Sequence, residues 1–436
     1  MFKKFFFLLL ILLTGCGQSE EEADKNLTLS QIGERYVKLM LRVGQYDSDF
    51  IDAYYGPDNL RPDSIADNQK ENLPTDELVW EIHHLIHLLE DIDYSKFDEL
   101  DIAHTAFLMK QLTAAKIKVS ILGGSKFNFD EESKMLYDAI APIHPNEYFD
   151  SLLIELDKAL PGEGTIQERY KNFTDNFVIP KAKLDEAFKI ALAEARKRTA
   201  DKLDLPGEEN FELEYVTDKS WSGYNWYQGG YRSIIQINTD FPVYVDRVID
   251  LASHEGYPGH HVYNLMLEKH LVRGKGWVDF SVYPLFSPQS LIAEGSANFG
   301  IEMVFPGKER VEFEKNVIYP LAGLDSSQAE LYSYIQMLRE KLDYAGNEAA
   351  RNYLNGEITR EEAAACLEKY NLSSPERALQ RTRFFDQYRS YVINYNLGKD
   401  LVKEYITRKS GDDLKKRWEV FEELLSSPKT ASMLKN

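Results

Sequence analysis

Three of the nine histidines in this chain of 436 residues fall within eight positions. They belong to the segment His254-Glu255-Gly256-Tyr257-Pro258-Gly259-His260-His261. Neutral imidazoles bind zinc, and an adjacent carboxylate can accept a proton from the water that attacks a substrate. The segment therefore predicts a catalytic Zn²⁺ site in which His254 and His260 bind the metal and Glu255 is the general base. The alternative is a glycine–proline loop with surface histidines, which leaves the adjacent glutamate as a coincidence.

The six-residue spacing of His254 and His260 differs from the four-residue spacing of the usual helical zinc motif. On an unbroken helix, six residues separate two side chains by about 120° around the axis and about 9 Å along it. Pro258 cannot donate the amide hydrogen bond back to His254, and the flanking glycines permit unusual backbone angles. We therefore expect the helix to break there and to return His260 toward His254. His261 is the alternative second ligand, and otherwise lies in the second shell.

The third predicted ligand is Glu294, which interrupts an apolar segment with a helical pattern over about 289–304. A carboxylate in such surroundings needs a partner, and three protein ligands leave the fourth zinc position open for water. Glu302 lies two helical turns further on and is expected to orient a ligand histidine. The alternative for Glu302 is an ordinary solvated glutamate. A rival cluster, His83 and His87, lacks an adjacent general base, so we expect it to be structural.

Peptide hydrolysis also needs a donor to the developing oxyanion. Tyr395 is the preferred candidate, with Tyr391 and Arg389 as alternatives, although packing roles are common for tyrosines in a chain that has 26 of them. We expect the strand around 233–238 to be a sheet edge that receives an extended peptide. Tyr231 and Arg232 would then bind the substrate beside the cleft.

The elements that position these residues are mostly helical. Helical periodicity is found over about 76–92, 98–121, 180–203, 243–254, 289–304, 326–345, 360–370, 388–407 and 411–425, and a capping box at Thr28 and Gln31 begins an earlier helix. Alternating, β-branched segments over 211–216 and 233–238 indicate a small sheet. The predicted fold is mainly α, a zinc-metallopeptidase-like domain with a small β-sheet beside the active-site cleft.

The first sixteen residues have the pattern of a lipoprotein signal peptide. Lys3 and Lys4 precede an apolar run over 5–13, and Leu13-Thr14-Gly15-Cys16 resembles a lipoprotein processing box. We expect Cys16 to be lipidated, residues 17–28 to be a flexible tether and 29–430 to be one catalytic domain. The lipid would anchor the protein to a bacterial membrane on the periplasmic or outer-membrane side. The alternative is an ordinary signal peptide with an incidental cysteine.

The composition restricts the partners. The net charge of −20 argues against nucleic-acid binding, which needs basic surface. The only other cysteine is Cys366, in an alanine-rich segment where a lone cysteine usually fills core space. Two cysteines cannot build a thiolate zinc site.

Several motifs resemble those of a bacterial family known as domain of unknown function 885, and of the gluzincin metallopeptidases. The metal segment and Glu294-Gly295-x-Ala297 carry the resemblance, and further matches are Tyr54-Tyr55-Gly56-Pro57, Arg339-x-x-x-Asp343-x-x-Gly346 and Tyr391-x-x-x-Tyr395-x-x-Gly398. The Glu294-Gly295 step also resembles the segment of the aminopeptidase N family in which that glutamate is the third zinc ligand. The chain departs from the family at Ser296, where tryptophan is usual, and at Asn347, where longer members carry histidine.

The resemblance implies a mostly helical fold, zinc and peptidase activity. We therefore expect a zinc-dependent peptidase in which a glutamate base activates water against a peptide substrate. Two alternatives stay open: a zinc hydrolase of a non-peptide amide or ester, and an inactive lipoprotein that binds peptides or metal. The sequence does not fix exo- or endopeptidase action, side-chain preference or oligomeric state.

Overall fold

A computed structural model describes residues 27–435 of the chain. Cys16 and the predicted signal segment lie outside the described residues, as does most of the predicted tether. The described part is mainly helical with two small sheets, which confirms the predicted mainly-α class. In this part of the chain, no helix is both long and apolar enough to cross a lipid bilayer.

The helices follow one another from the first described residues to the last. In chain order they are α1 (Leu29–Val43), α2 (Thr75–Glu90), α3 (Glu99–Leu122), α4 (Phe129–Tyr137), α5 (Asn146–Ala159), α6 (Ile166–Thr174), α7 (Lys181–Ala200), α8 (Val245–Leu251), α9 (His260–Leu267), α10 (Pro288–Val304), α11 (Lys308–Phe313), α12 (Tyr319–Ala322), α13 (Ala329–Glu340), α14 (Tyr344–Leu354), α15 (Arg360–Tyr370), α16 (Pro375–Tyr388), α17 (Ile393–Ser410), α18 (Leu414–Leu425) and α19 (Ala431–Leu434).

Local capping residues explain many of the helix starts. The Thr28 side chain accepts from the Gln31 amide while the Gln31 side chain accepts from the Thr28 amide, as predicted. Pro288 and Pro375 occupy first-turn positions that need no amide donor. The predicted helix over 326–345 is wrong as a single element, because the chain ends α13 at Glu340 and restarts at Tyr344.

The strands form a two-stranded and a three-stranded sheet. They are β1 (Ile51–Tyr54), β2 (Asn210–Val216), β3 (Gly223–Gly229), β4 (Arg232–Asn238) and β5 (Val282–Pro284). β1 pairs with β5 antiparallel, and the second sheet has the order β2-β4-β3. β4 is parallel to β2 and antiparallel to β3, so the prediction that residues 233–238 form a sheet edge is wrong. The tight turn at Gly229-Gly230-Tyr231, in which all three residues have positive φ, folds β3 back onto β4.

The helix α10 lies at the centre of the fold and is buried on almost every side. It crosses α17 where two glycines meet: a Cβ atom on Gly295 would lie 2.4 Å from the Gly398 carbonyl oxygen. Only residues without side chains permit this backbone approach. The close crossing sets the distance between Glu294 on α10 and two tyrosines, Tyr395 on α17 and Tyr391 in the 3-10 turn Arg389–Val392 that precedes it.

Candidate metal centre

The helix that carries His254 breaks between the two predicted histidine ligands. After α8 the chain makes a π-helical turn over Ala252–Gly256, and α9 begins at His260. The Gly259 amide donates back to the Ser253 carbonyl over 2.9 Å. A Cβ atom on Gly259 would lie 1.8 Å from the His254 carbonyl oxygen, so no side chain fits there. The break returns His260 to His254, with 3.2 Å between their Nε2 atoms.

Glu294 completes a triangle with these two imidazoles. Its Oε2 atom lies 3.2 Å from His254 Nε2 and 3.8 Å from His260 Nε2. Oε2 is buried and has no hydrogen-bond donor among the described residues, whereas Oε1 accepts from the Tyr391 hydroxyl over 2.8 Å. Burial alone would raise the pKa of Glu294, but its contacts with the two histidines outweigh this effect and lower it.

The triangle fits a zinc ion. Ligands at about 2.0–2.1 Å from a tetrahedral zinc lie roughly 3.3 Å from one another. The separations of 3.2, 3.2 and 3.8 Å between the three ligand atoms match that spacing. Two imidazole nitrogens and one carboxylate oxygen also form the donor set of known catalytic zinc sites, with one position left for water. The structure therefore brings together the three predicted ligands, His254, His260 and Glu294.

Glu255 lies next to this triangle. One donor atom from each of His254, Glu255 and His260 falls within 4.8 Å of the others. Burial raises the pKa of the Glu255 carboxyl to about 7, and the nearby Glu294 adds to the rise while His260 opposes it. The side chain packs against Gly223 of β3, where a Cβ atom would lie 2.8 Å from Glu255 Oε1.

The orientation of His254 depends on a residue that sequence reasoning missed. Asn298 Oδ1 lies 3.1 Å from His254 Nδ1, and Asn298 Nδ2 donates to the Tyr395 carbonyl over 3.1 Å. A contact of this kind fixes the ring and the nitrogen that faces a metal. The available signal was the position of Asn298, one helical turn after Glu294 on the same helix.

Glu302 does not take that role. Its carboxylate pairs with Lys399 and Lys403, at 2.9 Å in each case. The prediction that Glu302 orients a ligand histidine is therefore wrong, because the α10 face that carries Glu302 meets the lysines of α17.

His261 faces away from the triangle. The ring is fully buried, with Nδ1 2.8 Å from the Ser233 hydroxyl and Nε2 3.1 Å from a Glu209 carboxylate oxygen. Ser233 donates to Asn225, which in turn donates to the Glu255 carbonyl over 2.8 Å. His261 thus belongs to a buried chain of hydrogen bonds that leads to the backbone of Glu255. His260 is the histidine that faces Glu294.

The three candidates for the oxyanion donor differ in the partners that their side chains already have. The Tyr391 hydroxyl donates to Glu294, and Arg389 pairs with Glu132 at 2.6 Å. Tyr395 is half-buried, its ring centroid lies 5.8 Å from that of Tyr391, and its hydroxyl has no hydrogen-bond partner in the described part of the chain. Burial, and then the negative charge of Glu294, raise the pKa of Tyr395 well above its usual value, so it keeps its proton.

The predicted substrate-binding pair is placed differently. Tyr231 lies in the turn between β3 and β4, with the Arg273 guanidinium 4.4 Å from its ring centroid and its amide bonded to Glu268. Arg232 is exposed at the start of the central strand. Neither residue is among the contacts of the three candidate ligands, so the prediction that this pair lines the cleft is not supported.

Asp52 on β1 is a further acidic group near the centre that sequence reasoning missed. It accepts a hydrogen bond from Tyr224 of β3. Burial raises the pKa of Asp52 to about 6, against the opposing effects of Tyr224 and His260. Nothing in the sequence marks Asp52, because β1 and the metal segment are some 200 positions apart.

The rival residues His83 and His87 lie exposed on α2.

Comparison with known proteins identifies relatives of the fold only. No family model and no curated protein matches the chain. Among solved structures, it is similar to a protein from Colwellia psychrerythraea named as a lipoprotein, with a TM-score of 0.51 and 14% identity over 83% of this chain and 68% of that chain. A lipoprotein of unknown function from Shewanella oneidensis gives a TM-score of 0.46 and 12% identity over 83% of this chain and 72% of that one. The first likeness shows a shared fold, and membership in the domain of unknown function 885 family stays a prediction.

Proposed function

We propose that this chain is a zinc-dependent hydrolase that cleaves peptide bonds. The observation that carries the proposal is the convergence of His254 Nε2, His260 Nε2 and Glu294 Oε2 at 3.2–3.8 Å, with Glu255 beside them. These three side chains would hold zinc. When bound, zinc supplies activation of a water molecule and polarisation of the scissile carbonyl.

Glu255 has the properties of the general base in this proposal. It accepts a proton from the attacking water and delivers that proton to the leaving amine. A general base works best with a pKa near the working pH, and burial brings the pKa of Glu255 to about 7. The hydrogen bond from Asn225 to the Glu255 carbonyl holds the backbone that presents the carboxylate.

Tyr395 is the proposed donor to the oxygen that gains charge. Its hydroxyl is uncommitted within the described residues and stays protonated because burial raises its pKa. Tyr391 is unsuited to this role because its hydroxyl already binds Glu294. Tyr391 thus positions the proposed ligand Glu294, and Tyr395 is the tyrosine that would contact the substrate.

An outer strand beside the general base favours a peptide over other amides. β3 is an outer strand of the three-stranded sheet, and its first residue, Gly223, touches the Glu255 side chain. An extended peptide can add to such an edge through backbone hydrogen bonds. The peptide bonds to be cleaved would then lie beside Glu255.

We further propose that lipid on Cys16 anchors the enzyme to a bacterial membrane, on the periplasmic or outer-membrane side. The name of the similar structure from Colwellia psychrerythraea supports this reading, as does the sequence around the cysteine. Cys16→Ser should move the protein from the membrane fraction to the soluble fraction. Retention of that variant on membranes would refute the lipid anchor.

The first experiment measures metal content and peptide hydrolysis together on the full chain in detergent. The variants are Glu255→Gln, His260→Ala and the control His83→Ala, which alters an exposed histidine on α2. A mixed library of peptides with free and blocked ends is the substrate. We expect about one zinc per chain, as a single site requires. Glu255→Gln should keep the metal and lose turnover, His260→Ala should lose both, and His83→Ala should keep both.

The other outcomes are equally informative. Absence of zinc from the parent, or equal zinc in His260→Ala, would show that the proposed ligands are wrong. Zinc with turnover of amides or esters but not of peptides would identify a different hydrolase. Zinc without turnover of any substrate would identify an inactive scaffold.

A further inference from the structure

Arg381 of α16 lies beside Tyr395, the proposed oxyanion donor, and forms no ion pair within the described residues. Its guanidinium carbon lies 4.3 Å from the ring centroid of Phe384 and 5.7 Å from that of Tyr395. No ion pair or hydrogen bond of its guanidinium is found within residues 27–435. Aromatic rings therefore hold this cation in place while its donors stay available.

Acidic residues outnumber basic ones in this chain, which has 71 of the former and 51 of the latter. Nearby arginines are paired: Arg339 with Asp343 at 3.4 Å, and Arg247 with Asp250 at 3.1 Å. A cation that is withdrawn from water without a partner is unfavourable. This unfavourable free energy would be offset by binding of an anion from outside the chain.

The charge of Glu294 reaches the guanidinium of Arg381. Arg381 is half-buried, and burial is the main cause that lowers its pKa, while Tyr395, Asp343 and Glu294 oppose that effect. The same Tyr395 offers its carbonyl to Asn298, which contacts His254. A single aromatic residue thus separates Arg381 from the side chains that orient the metal ligands.

We propose that Arg381 binds a carboxylate of the substrate next to the scissile bond. The substrate class is then a peptide with a free carboxylate on the residue that follows the cleaved bond, an inference that rests on the proposed peptidase function. A guanidinium matches a carboxylate with two parallel hydrogen bonds. The Arg381 guanidinium lies 5.7 Å from the ring centroid of Tyr395, the proposed oxyanion donor, and this contact argues for a carboxylate close to the scissile bond. Arg381 thereby takes the role that the sequence suggested for Arg232.

The carboxylate has two sources, a free C-terminus or an acidic side chain. Three N-acetylated peptides of one sequence separate them: one with a free C-terminus, one with a C-terminal amide, and one amide with Glu after the scissile bond. kcat and KM are measured on the full-length, zinc-loaded protein. The variants are Arg381→Gln, Arg381→Lys and the control Arg383→Gln, which alters an exposed arginine on the same helix.

We expect Arg381→Gln to raise KM for a carboxylate-bearing peptide by about 10- to 100-fold, the range for loss of hydrogen bonds to a charged group. The kcat for the carboxylate-bearing peptides should change little, and so should kcat and KM for the plain amide. Arg381→Lys should recover part of the loss, because it restores charge without the bidentate geometry. Arg383→Gln should match the parent. A KM effect confined to the free acid assigns a C-terminal carboxylate, and an effect on the Glu peptide assigns a side chain.

Binding of the same peptides is followed by calorimetry in the Glu255→Gln background, which does not depend on turnover. The free acid should bind more tightly than the amide, and Arg381→Gln should abolish that difference. Equal losses for acid and amide, or none, would overturn the proposal while leaving the hydrolase function intact. If no peptide is cleaved, the proposed function fails, and calorimetry alone then decides the carboxylate site.

Discussion

Replacement of Gly295 by alanine tests how the helix crossing builds the candidate metal centre. The new Cβ atom would lie 2.4 Å from the Gly398 carbonyl oxygen and 2.5 Å from its carbon. Ordinary contact needs about 1 Å more. The obstacle is backbone rather than a flexible side chain, so α10 and α17 must separate. The Tyr391 hydroxyl would then leave hydrogen-bond distance of Glu294, which it now contacts at 2.8 Å.

The magnitude combines three effects. Overpacking of a filled interface costs about 1–3 kcal/mol. Loss of a hydrogen bond to a charged group costs about 1.5–3 kcal/mol. Alanine is better than glycine within a helix by about 1 kcal/mol, which acts in the opposite direction. We expect Gly295→Ala to lower the free energy of unfolding by about 2–4 kcal/mol and to weaken zinc binding.

Urea denaturation and chelator competition measure the two effects. Gly346→Ala is the matched control, because the nearest atom to its Cβ lies 3.9 Å away and the position is helical. The control should be as stable as the parent or slightly more stable. If Gly295→Ala unfolds at the same urea concentration as the control and binds zinc as tightly, the close crossing does not position Glu294, and the reasoning is refuted.

Three further predictions concern single residues. Asn298→Ala frees the His254 ring and should weaken zinc binding by about 10–100-fold, measured by chelator competition; unchanged affinity would contradict its orienting role. Gly223→Ala places a Cβ atom 2.8 Å from Glu255 Oε1, so kcat should fall while zinc content is kept, and normal turnover would show that the carboxylate has room. Burial alone would raise the pKa of Asp138, but donors on Ser432 and Lys110 lower it to about 2, so its contribution to stability is present above about pH 4 and is lost as the pH falls toward 2. Asp138→Asn should therefore lose about 2 kcal/mol in urea unfolding at pH 7 and little at pH 2; an equal loss at both would exclude ionisation as the cause.

The sequence by itself determined the features that depend on local chemistry. Proline and glycine between His254 and His260 dictate a break in the helix, because Pro258 lacks the amide donor and Gly259 has no room for a side chain. The apolar helix around Glu294 is also local, since its pattern requires burial on nearly all sides. Residue types and periodicity carry this information directly.

Only the tertiary structure decided which side chains meet. The sequence left His260 and His261 as alternatives, and the turn of the chain at the break points the first toward Glu294 and the second toward Glu209. The sequence favoured Glu302 as the residue that orients His254, whereas the structure places Asn298 against that histidine. Helical spacing does not reveal which face of α10 meets the lysines of α17. These choices depend on the packing of distant segments, which no local pattern records.

The same reason explains the strand order and the surroundings of Arg381. Alternation identified β2 and β4 as strands, but β4 became central because the turn after β3 folds that strand back beside it. Arg381 looks like any helical arginine in the sequence, and it becomes notable only because the folded chain gives it aromatic neighbours and no ion pair within the described residues. The sequence thus determined which residues are able to do chemistry, and the packing of distant segments decided which of them act together, since distances between side chains are set by long-range contacts.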